Sequence, residues 1–205
     1  DLYWRARSLA DRGKPFNKPN FVVKNTQDYL FPSLNFNADV VMYSATKHLD
    51  GQGRVLGGAI LGKENFCKKI IKPFIRNTGP SLSPFNAWVI LKSIDTLELR
   101  VKKQTENAQK ISKFLKNSTF INSVFYPMLD SFEQLNLAKK QMLDGGTIIS
   151  FKLKTTRKNE KSLTFKFLNN LKLIEISNNL GDTKSLITHP ETTTHHRLNQ
   201  KEKMS

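Results

Sequence analysis

One stretch constrains this chain more than any other, the one running from Asp39 to Gly62. Asp39-Val40-Val41-Met42-Tyr43 is a short apolar run and predicts a buried strand. Gly58-Ala59-Ile60-Leu61-Gly62 predicts a second strand. Around the turn between them stand two hydroxyls (Ser44 and Thr46), one lysine (Lys47) and the glycines Gly51, Gly53, Gly57 and Gly58. A lysine at the exit of a buried strand, with hydroxyls one and three residues before it, suits an imine-forming amine beside a phosphate site. The glycines let backbone come close to a ligand. They do not form a dinucleotide loop: in Gly51-Gln52-Gly53-Arg54-Val55-Leu56-Gly57 the third glycine falls one residue too late for G-x-G-x-x-G. No Gly-Lys-Ser/Thr is present either, which argues against a P-loop.

Upstream, residues 5–12 predict a short helix, 13–20 a loop rich in Gly, Pro and Asn, Phe21-Val22-Val23 a strand, and 25–37 a loop with at most one helical turn. Downstream, Phe66, Ile70, Ile71 and Phe74 recur at helical spacing over 64–74. Asn77-Thr78-Gly79-Pro80-Ser81-Leu82-Ser83 ends that helix, and Ser83-Pro84 reads as an N-cap followed by proline in the first turn. Helix-compatible sequence then runs to about residue 115. Its first half is apolar (Phe85, Trp88, Val89, Leu91, Ile94, Leu97), which implies a buried setting. Its second half is amphipathic and basic (Val101, Ala108, Ile111, Leu115). The change marks a long helix entering a second domain, with the boundary near residue 96: domains 1–95 and 96–205.

The second domain alternates strands and helices. Val124-Phe125-Tyr126 reads as a strand, 132–142 as a helix or helical turn, and 147–153, opened by Gly145-Gly146, as a strand rich in β-branched and aromatic residues. An amphipathic helix over 158–171 and a strand over 173–176 follow, so the fold class is α/β, with an α/β sandwich in this domain. The last residues, 196–205, are polar and expected to fray.

Composition narrows the partners. Hydrophobic residues make up 38% of 205 and no apolar run nears the length that spans a membrane, so no membrane partner is expected. Net charge is +16, but the basic residues are spread along the chain and no aromatics interleave with them, so nucleic acid is not expected as a partner. No zinc-ligand spacing appears and no metal is expected. Cys67 is the single cysteine, which excludes an intramolecular disulfide and suits a reducing, cytoplasmic setting. It reads as a packed or half-exposed thiol on a helix face. The first residues do not form a signal peptide and there is no initiator Met, so the sequence is expected to start inside a longer or processed protein.

Ser44-Ala45-Thr46-Lys47 with Asp50-Gly51-Gln52-Gly53-Arg54 and Gly57-Gly58 resembles the cofactor-lysine segment of the Cys/Met-metabolism (trans-sulfuration) family of pyridoxal-phosphate enzymes. Asn77-Thr78-Gly79-Pro80-Ser81-Leu82-Ser83-Pro84-Phe85-Asn86-Ala87-Trp88 is similar to the segment that follows it. Lys172-Leu173-Ile174, Asn178-Asn179-Leu180-Gly181-Asp182-Thr183-Lys184-Ser185-Leu186-Ile187-Thr188-His189-Pro190 and Thr192-Thr193-Thr194-His195 are similar to the family's substrate-side segment. The resemblance spans roughly residues 34–198 and is greatest to the family's sulfhydrylases acting on O-succinylhomoserine.

That resemblance implies a PLP-dependent transferase of fold type I, here the C-terminal part of its large domain plus the small α/β C-terminal domain. It implies pyridoxal 5'-phosphate as cofactor, held as a Schiff base on Lys47 with Ser44 and Thr46 donating to its phosphate, and Asn179 near the substrate carboxylate. It implies an amino-acid substrate and sulfide as partners, a γ-synthase or γ-lyase as the neighbouring activities, and a homo-oligomer, a tetramer built as a dimer of dimers. His189, His195, Asp182 and Ser185 are expected to be structural. The sequence departs from the family in three respects. The family's N-terminal cofactor-binding region has no counterpart here, nor has its C-terminal substrate-binding arginine. Val22-Val23-Lys24-Asn25-Thr26 places Lys24 where the family has the aspartate that pairs with the pyridine nitrogen. Lys24 therefore leaves a second reading open, a non-catalytic chain that keeps the fold.

Overall fold

The computed structural model describes residues 21–24, 38–156, 158–199 and 202. The expected helix at 5–12 and the loops at 13–20 and 25–37 lie outside the described residues. A three-stranded sheet carries the opening stretch, in the order β1 (Phe21–Lys24), β2 (Val40–Ser44), β3 (Gly58–Gly62). The central strand, β2, pairs in parallel with β1, from Phe21↔Val40 to Lys24↔Tyr43, and antiparallel with β3, from Val40↔Gly62 to Ser44↔Gly58. Val40 and Val41 are both buried, so consecutive residues of β2 are covered on opposite faces. This explains why the strand reads as an unbroken apolar run.

A continuous helical run, α1, follows as Glu64–Phe66, a wide turn at Cys67–Ile71, and Lys72–Thr78. It is four residues longer than its apolar spacing predicts. It stops at Gly79, whose φ of 81° only glycine adopts readily and whose N–H donates to the Ile75 carbonyl at 3.0 Å. Helix α2 (Pro84–Ile94) starts as expected: Ser83 Oγ accepts from the Asn86 N–H at 3.1 Å and Pro84 fills the first turn. The single helix expected to run to residue 115 is in fact two. Asp95 and Thr96 interrupt it, and α3 (Leu97–Lys116) begins after them.

The apolar first half of that stretch does not lie in a buried setting. Phe85 is 67% and Trp88 58% exposed, and Leu91 and Ile94 are exposed too. Only the edge of α2 carrying Val89, Ile90 and Ser93 turns inward, where Val89 and Ile90 form a core with Ala45, Val55 and Leu49. On α1, Ile70 and Phe74 of the expected stripe are likewise exposed. On α3 the buried stripe is Val101, Thr105, Ala108 and Ser112, at helical spacing, whereas the expected Ile111 faces solvent. Small side chains let α3 approach its neighbours, and Ala108 joins a second core with Tyr126 and Leu129.

Beyond α3 the alternation of strands and helices is present, and the strands fall into two further sheets; the one at Ile121–Phe125 is longer than the expected 124–126, while those at Ser150–Leu153 and Glu175–Ile176 are shorter than expected. β4 (Ile121–Phe125) pairs antiparallel with β5 (Ser150–Leu153), with helix α4 (Leu135–Gln141) between them in sequence. β5 is shorter than the expected 147–153 because the preceding glycines pack on Tyr126. The Tyr126 hydroxyl donates to the Gly146 carbonyl at 3.0 Å, and a Cβ at Gly145 would overlap the Tyr126 ring. After α5 (Glu160–Asn169), β6 (Glu175–Ile176) pairs in parallel with β7 (Leu186–Ile187), and one 3-10 turn follows at Pro190–Thr192. β7 and the turn carry no sequence signal above their surroundings.

Burial raises the Tyr126 hydroxyl pKa and the nearby Asp144 adds to it, so the group stays a neutral donor. Tyr126→Phe leaves the buried Gly146 carbonyl without this partner and should lower the unfolding free energy by about 1–2 kcal/mol. Gly145→Ala, which must push the ring aside, should cost more. Urea unfolding midpoints of the two variants check both values and their order.

Candidate active site at the end of strand β2

Ser44 is the last residue of β2, and residues Ala45–Leu49 coil into a wide helical turn. The turn is kinked at Lys47, whose ψ of −121° is not helical. Its backbone is pinned on both sides: Ala45 N–H donates to Gly57 C=O at 2.8 Å, and Gly51 N–H to Lys47 C=O at 2.7 Å. Thr46 Oγ1 accepts from the Gly57 N–H at 3.2 Å, so its own hydroxyl proton remains available to a ligand. The Ser44 side chain does not cap the turn that follows it. Lys47 Nζ donates to Asn179 Oδ1 at 2.9 Å, a neutral amide brought in from 132 residues away. Among the described residues no carboxylate pairs with Lys47. Two hydroxyls within three residues of an amine that pairs with no carboxylate among the described residues suit a phosphate and an aldehyde, so these residues fit pyridoxal phosphate.

The loop after Lys47 is built on a buried charge. Asp50 is 0% exposed. Its Oδ2 accepts from the Arg54 backbone N–H at 2.6 Å and its Oδ1 from Arg54 Nε at 2.9 Å. Arg54 reaches on to Ser93 Oγ of α2. Arg100, one turn into α3, spends its guanidinium on backbone carbonyls: Nη1 donates to His48 at 2.9 Å, and Nη2 to Ser93 at 2.9 Å and more weakly to Leu49 at 3.5 Å. Its Nε donates to Thr96 Oγ1 at 3.1 Å. Burial lowers the Arg100 pKa; Asp50 counteracts this and Arg54 adds to it. Gly51 (φ 72°) lies against the guanidinium, where any Cβ would overlap it.

His48 is 5% exposed. Its Nε2 shares a hydrogen bond with Thr147 Oγ1 at 3.0 Å, while Nδ1 is buried without a partner. Burial, with Arg100 adding to it, pushes the His48 pKa down to about 4, so the ring is neutral at neutral pH. Its ring and backbone N–H lie against Gly181, whose φ is 85°. Gly181 belongs to the segment that carries Asn179, and that segment is fastened twice more. Thr183 N–H donates to Gly51 C=O at 2.9 Å, and Gln104 Nε2 on α3 donates to Asp182 C=O at 2.9 Å. A Cβ at Gly53 would come within 2.8 Å of Asn179 Nδ2.

The structure thus brings Lys47 and Asn179 together, with Ser44 and Thr46 adjoining Lys47 in the chain. The remaining singled-out residues serve locally. His189 Nδ1 bonds Thr192 Oγ1 at 2.9 Å, His195 Nδ1 bonds Thr194 Oγ1 at 2.8 Å, and Asp182 Oδ1 accepts from the Lys184 N–H at 2.9 Å. Ser185 contributes its backbone carbonyl to the Glu175 N–H at 3.0 Å. Cys67 is half-buried, with Sγ 3.6 Å from the Gly62 carbonyl. Lys24 ends β1 level with Tyr43, at the same end of the sheet as Lys47. Sequence reasoning assigned no role to His48, Asp50, Arg54, Arg100 or Gln104. The one signal was Asp50 and Arg54 spaced i, i+4 across two glycines.

Matching the chain to known families, the model described as "Cys/Met metabolism PLP-dependent enzyme" covers residues 18–205. The chain belongs to this family. It is 50% identical over 160 residues to an O-succinylhomoserine sulfhydrylase of Mycobacterium tuberculosis, covering 78% of this chain and 39% of that protein. It is 38% identical over 192 residues to an L-methionine gamma-lyase of Porphyromonas gingivalis, covering 92% of this chain and 47% of that protein. Its fold matches the crystal structure of a putative O-acetylhomoserine (thiol)-lyase of Campylobacter jejuni, solved with N'-pyridoxyl-lysine-5'-monophosphate, at a TM-score of 0.82 and 28% identity. That match covers 90% of this chain and 51% of the other. The chain therefore spans between two fifths and about half of these relatives.

The depressed His48 pKa fixes a pH dependence. Between its folded value of about 4 and its ordinary 6.5, the unfolded chain binds the proton and the folded chain does not. Stability should therefore be complete above pH 6.5 and fall as pH drops toward 4, by up to about 3 kcal/mol from this group. His48→Gln should flatten that part of the slope, as read from urea unfolding at pH 4.5, 5.5 and 7.

Proposed function

We propose that this chain is the lysine-bearing part of an O-succinylhomoserine sulfhydrylase. The carrying observation is 50% identity over 160 residues, 78% of this chain, to a relative of that name. In the reaction the Cγ–O bond to succinate breaks and a Cγ–S bond to sulfide forms, giving homocysteine and succinate with no net redox change.

The residues divide the work as follows. Lys47 supplies the amine that holds the cofactor aldehyde, and it must be neutral to do so. Ser44 and Thr46 donate hydroxyl hydrogen bonds to the phosphate. Pyridoxal phosphate, when bound, supplies an electron sink for the pair left at Cα. Lys47 Nζ would also serve as the proton carrier of the site, taking the Cα proton of the substrate and moving protons between Cα and Cβ. Asn179 receives Lys47 Nζ on its Oδ1, which leaves its Nδ2 protons to orient the substrate carboxylate. The same reading carries a homo-oligomer, a cytoplasmic setting suited to a single cysteine, and a division of the chain near residue 96.

Two observations favour other readings. The 38% identity over 192 residues to a methionine gamma-lyase supports elimination in place of replacement. Lys24, where the family has an aspartate, supports a non-catalytic chain that keeps the fold.

Pyridoxal phosphate added to the chain should give a visible absorbance band that Lys47→Ala abolishes; no band in the parent defeats cofactor binding through Lys47. With O-succinylhomoserine and sulfide, homocysteine and succinate should form in equal amounts. An α-keto acid and ammonia would indicate the lyase, and a band without turnover the non-catalytic chain.

A further inference from the structure

The two loops that meet at the Lys47 amine are held by successive turns of one helix. Arg100 and Gln104 stand one helical turn apart near the start of α3. Arg100 binds the carbonyl of His48, the residue next to Lys47, at 2.9 Å. Gln104 binds the carbonyl of Asp182, three residues beyond Asn179, at 2.9 Å. Neither side chain touches Lys47 or Asn179 by any hydrogen bond among the described residues, yet each fixes the backbone that presents one of them. The loops also meet directly through Thr183 N–H and Gly51 C=O at 2.9 Å.

We propose that Arg100 and Gln104 are positioning residues that set the distance between the Lys47 amine and the Asn179 amide, with α3 as the rigid bar between the two loops. A helix suits this task because its i, i+4 spacing changes little with side-chain motion, whereas either loop alone has no rigid reference. Arg100 is committed to the task, its donors being shared among His48, Ser93, Leu49 and Thr96. Gln104 is equally specific: its Nε2 donates to Asp182 while its buried Oε1 has no partner. The inference rests on reading Lys47 as the cofactor amine, but its geometry belongs to the chain alone.

The test reads Lys47 without cofactor. The full chain is treated with formaldehyde and cyanoborohydride, and methylation of Lys47 is followed by peptide mass spectrometry relative to the exposed Lys166. Asn179→Ala should raise the Lys47 rate about fivefold, the size of one lost hydrogen bond. Gln104→Met, close in shape but without the donor, should raise it as well. Gln104→Met combined with Asn179→Ala should match Asn179→Ala alone, because Gln104 acts through Asn179. Arg100→Lys, which keeps the charge and loses the fork, should also raise the rate and serves if Gln104→Met does not fold. A Lys47 rate unchanged in Gln104→Met and Arg100→Lys overturns the inference, as does an effect that multiplies with Asn179→Ala. A parent chain that shows the labelling pattern but no visible band with pyridoxal phosphate supports the spacing role and defeats the cofactor reading instead.

Discussion

The buried carboxylate of Asp50 is the interaction on which the rest of the site depends. An ionised group with no solvent exposure is tolerated only if it is paired and its lone pairs are satisfied. Arg54 meets both needs from four residues away, and Arg100 adds a second positive charge from α3. Removing Asp50 would leave the neighbouring charges of Arg54 and Arg100 without the carboxylate that offsets their repulsion. The pair also serves as a junction: Arg54 ties it to Ser93 on α2, and Arg100 ties the adjoining backbone to Ser93 and Thr96. The turn bearing Lys47 is held by this charge cluster, through Arg100 on the His48 carbonyl, and by the end of the sheet, where Ala45 N–H donates to Gly57 C=O.

The apolar packing is divided. One core joins Ala45 and Val55 near the lysine turn to Val89 and Ile90 of α2, and a second joins Ala108 of α3 to Tyr126 and Leu129. Helix α3 reaches from the charge cluster at Arg100 to the second core at Ala108, so it links the two without a shared hydrophobic centre. Outside them, Phe85, Trp88, Leu91 and Ile94 present a run of large apolar side chains along α2, on a chain of net charge +16. Exposed apolar area of that kind ordinarily marks a surface meant to be covered.

Much of this was legible in the sequence. Strands β2 and β3, the Ser83-Pro84 helix start and the Gly79 stop are encoded locally, by apolar runs, a capping hydroxyl and a left-handed glycine. Lys47 was legible because hydroxyls, glycines and a buried strand surround it within a few residues. What was not legible is non-local. His48 looks like any polar loop residue until Gly181 and Thr147 close over it. Arg100 and Gln104 look like the solvated face of a basic helix, and only the carbonyls they meet distinguish them from Lys102 or Lys103. The burial of α2 was misjudged because apolar content reports what a helix can bury, while the neighbours decide what it does bury. Ile111 and Leu115 suggested one face of α3, but small Thr105 and Ser112 take the inner positions. Periodicity weighted by hydrophobicity cannot see that choice.

The contact between Lys47 and Asn179 closes a span of 132 residues. A ribosome adding about 5–20 residues per second needs roughly 7–26 s to make that span. For that interval the lysine turn exists without the segment that receives its amine, and Gly51 and His48 lack the backbone that later packs on them. The charge cluster has no such delay, since Asp50, Arg54, Ser93 and Arg100 all lie within about fifty residues of one another. Assembly during synthesis therefore has a natural order. The charged cluster can form first, and the Lys47 amine is enclosed only when the segment around Asn179 arrives.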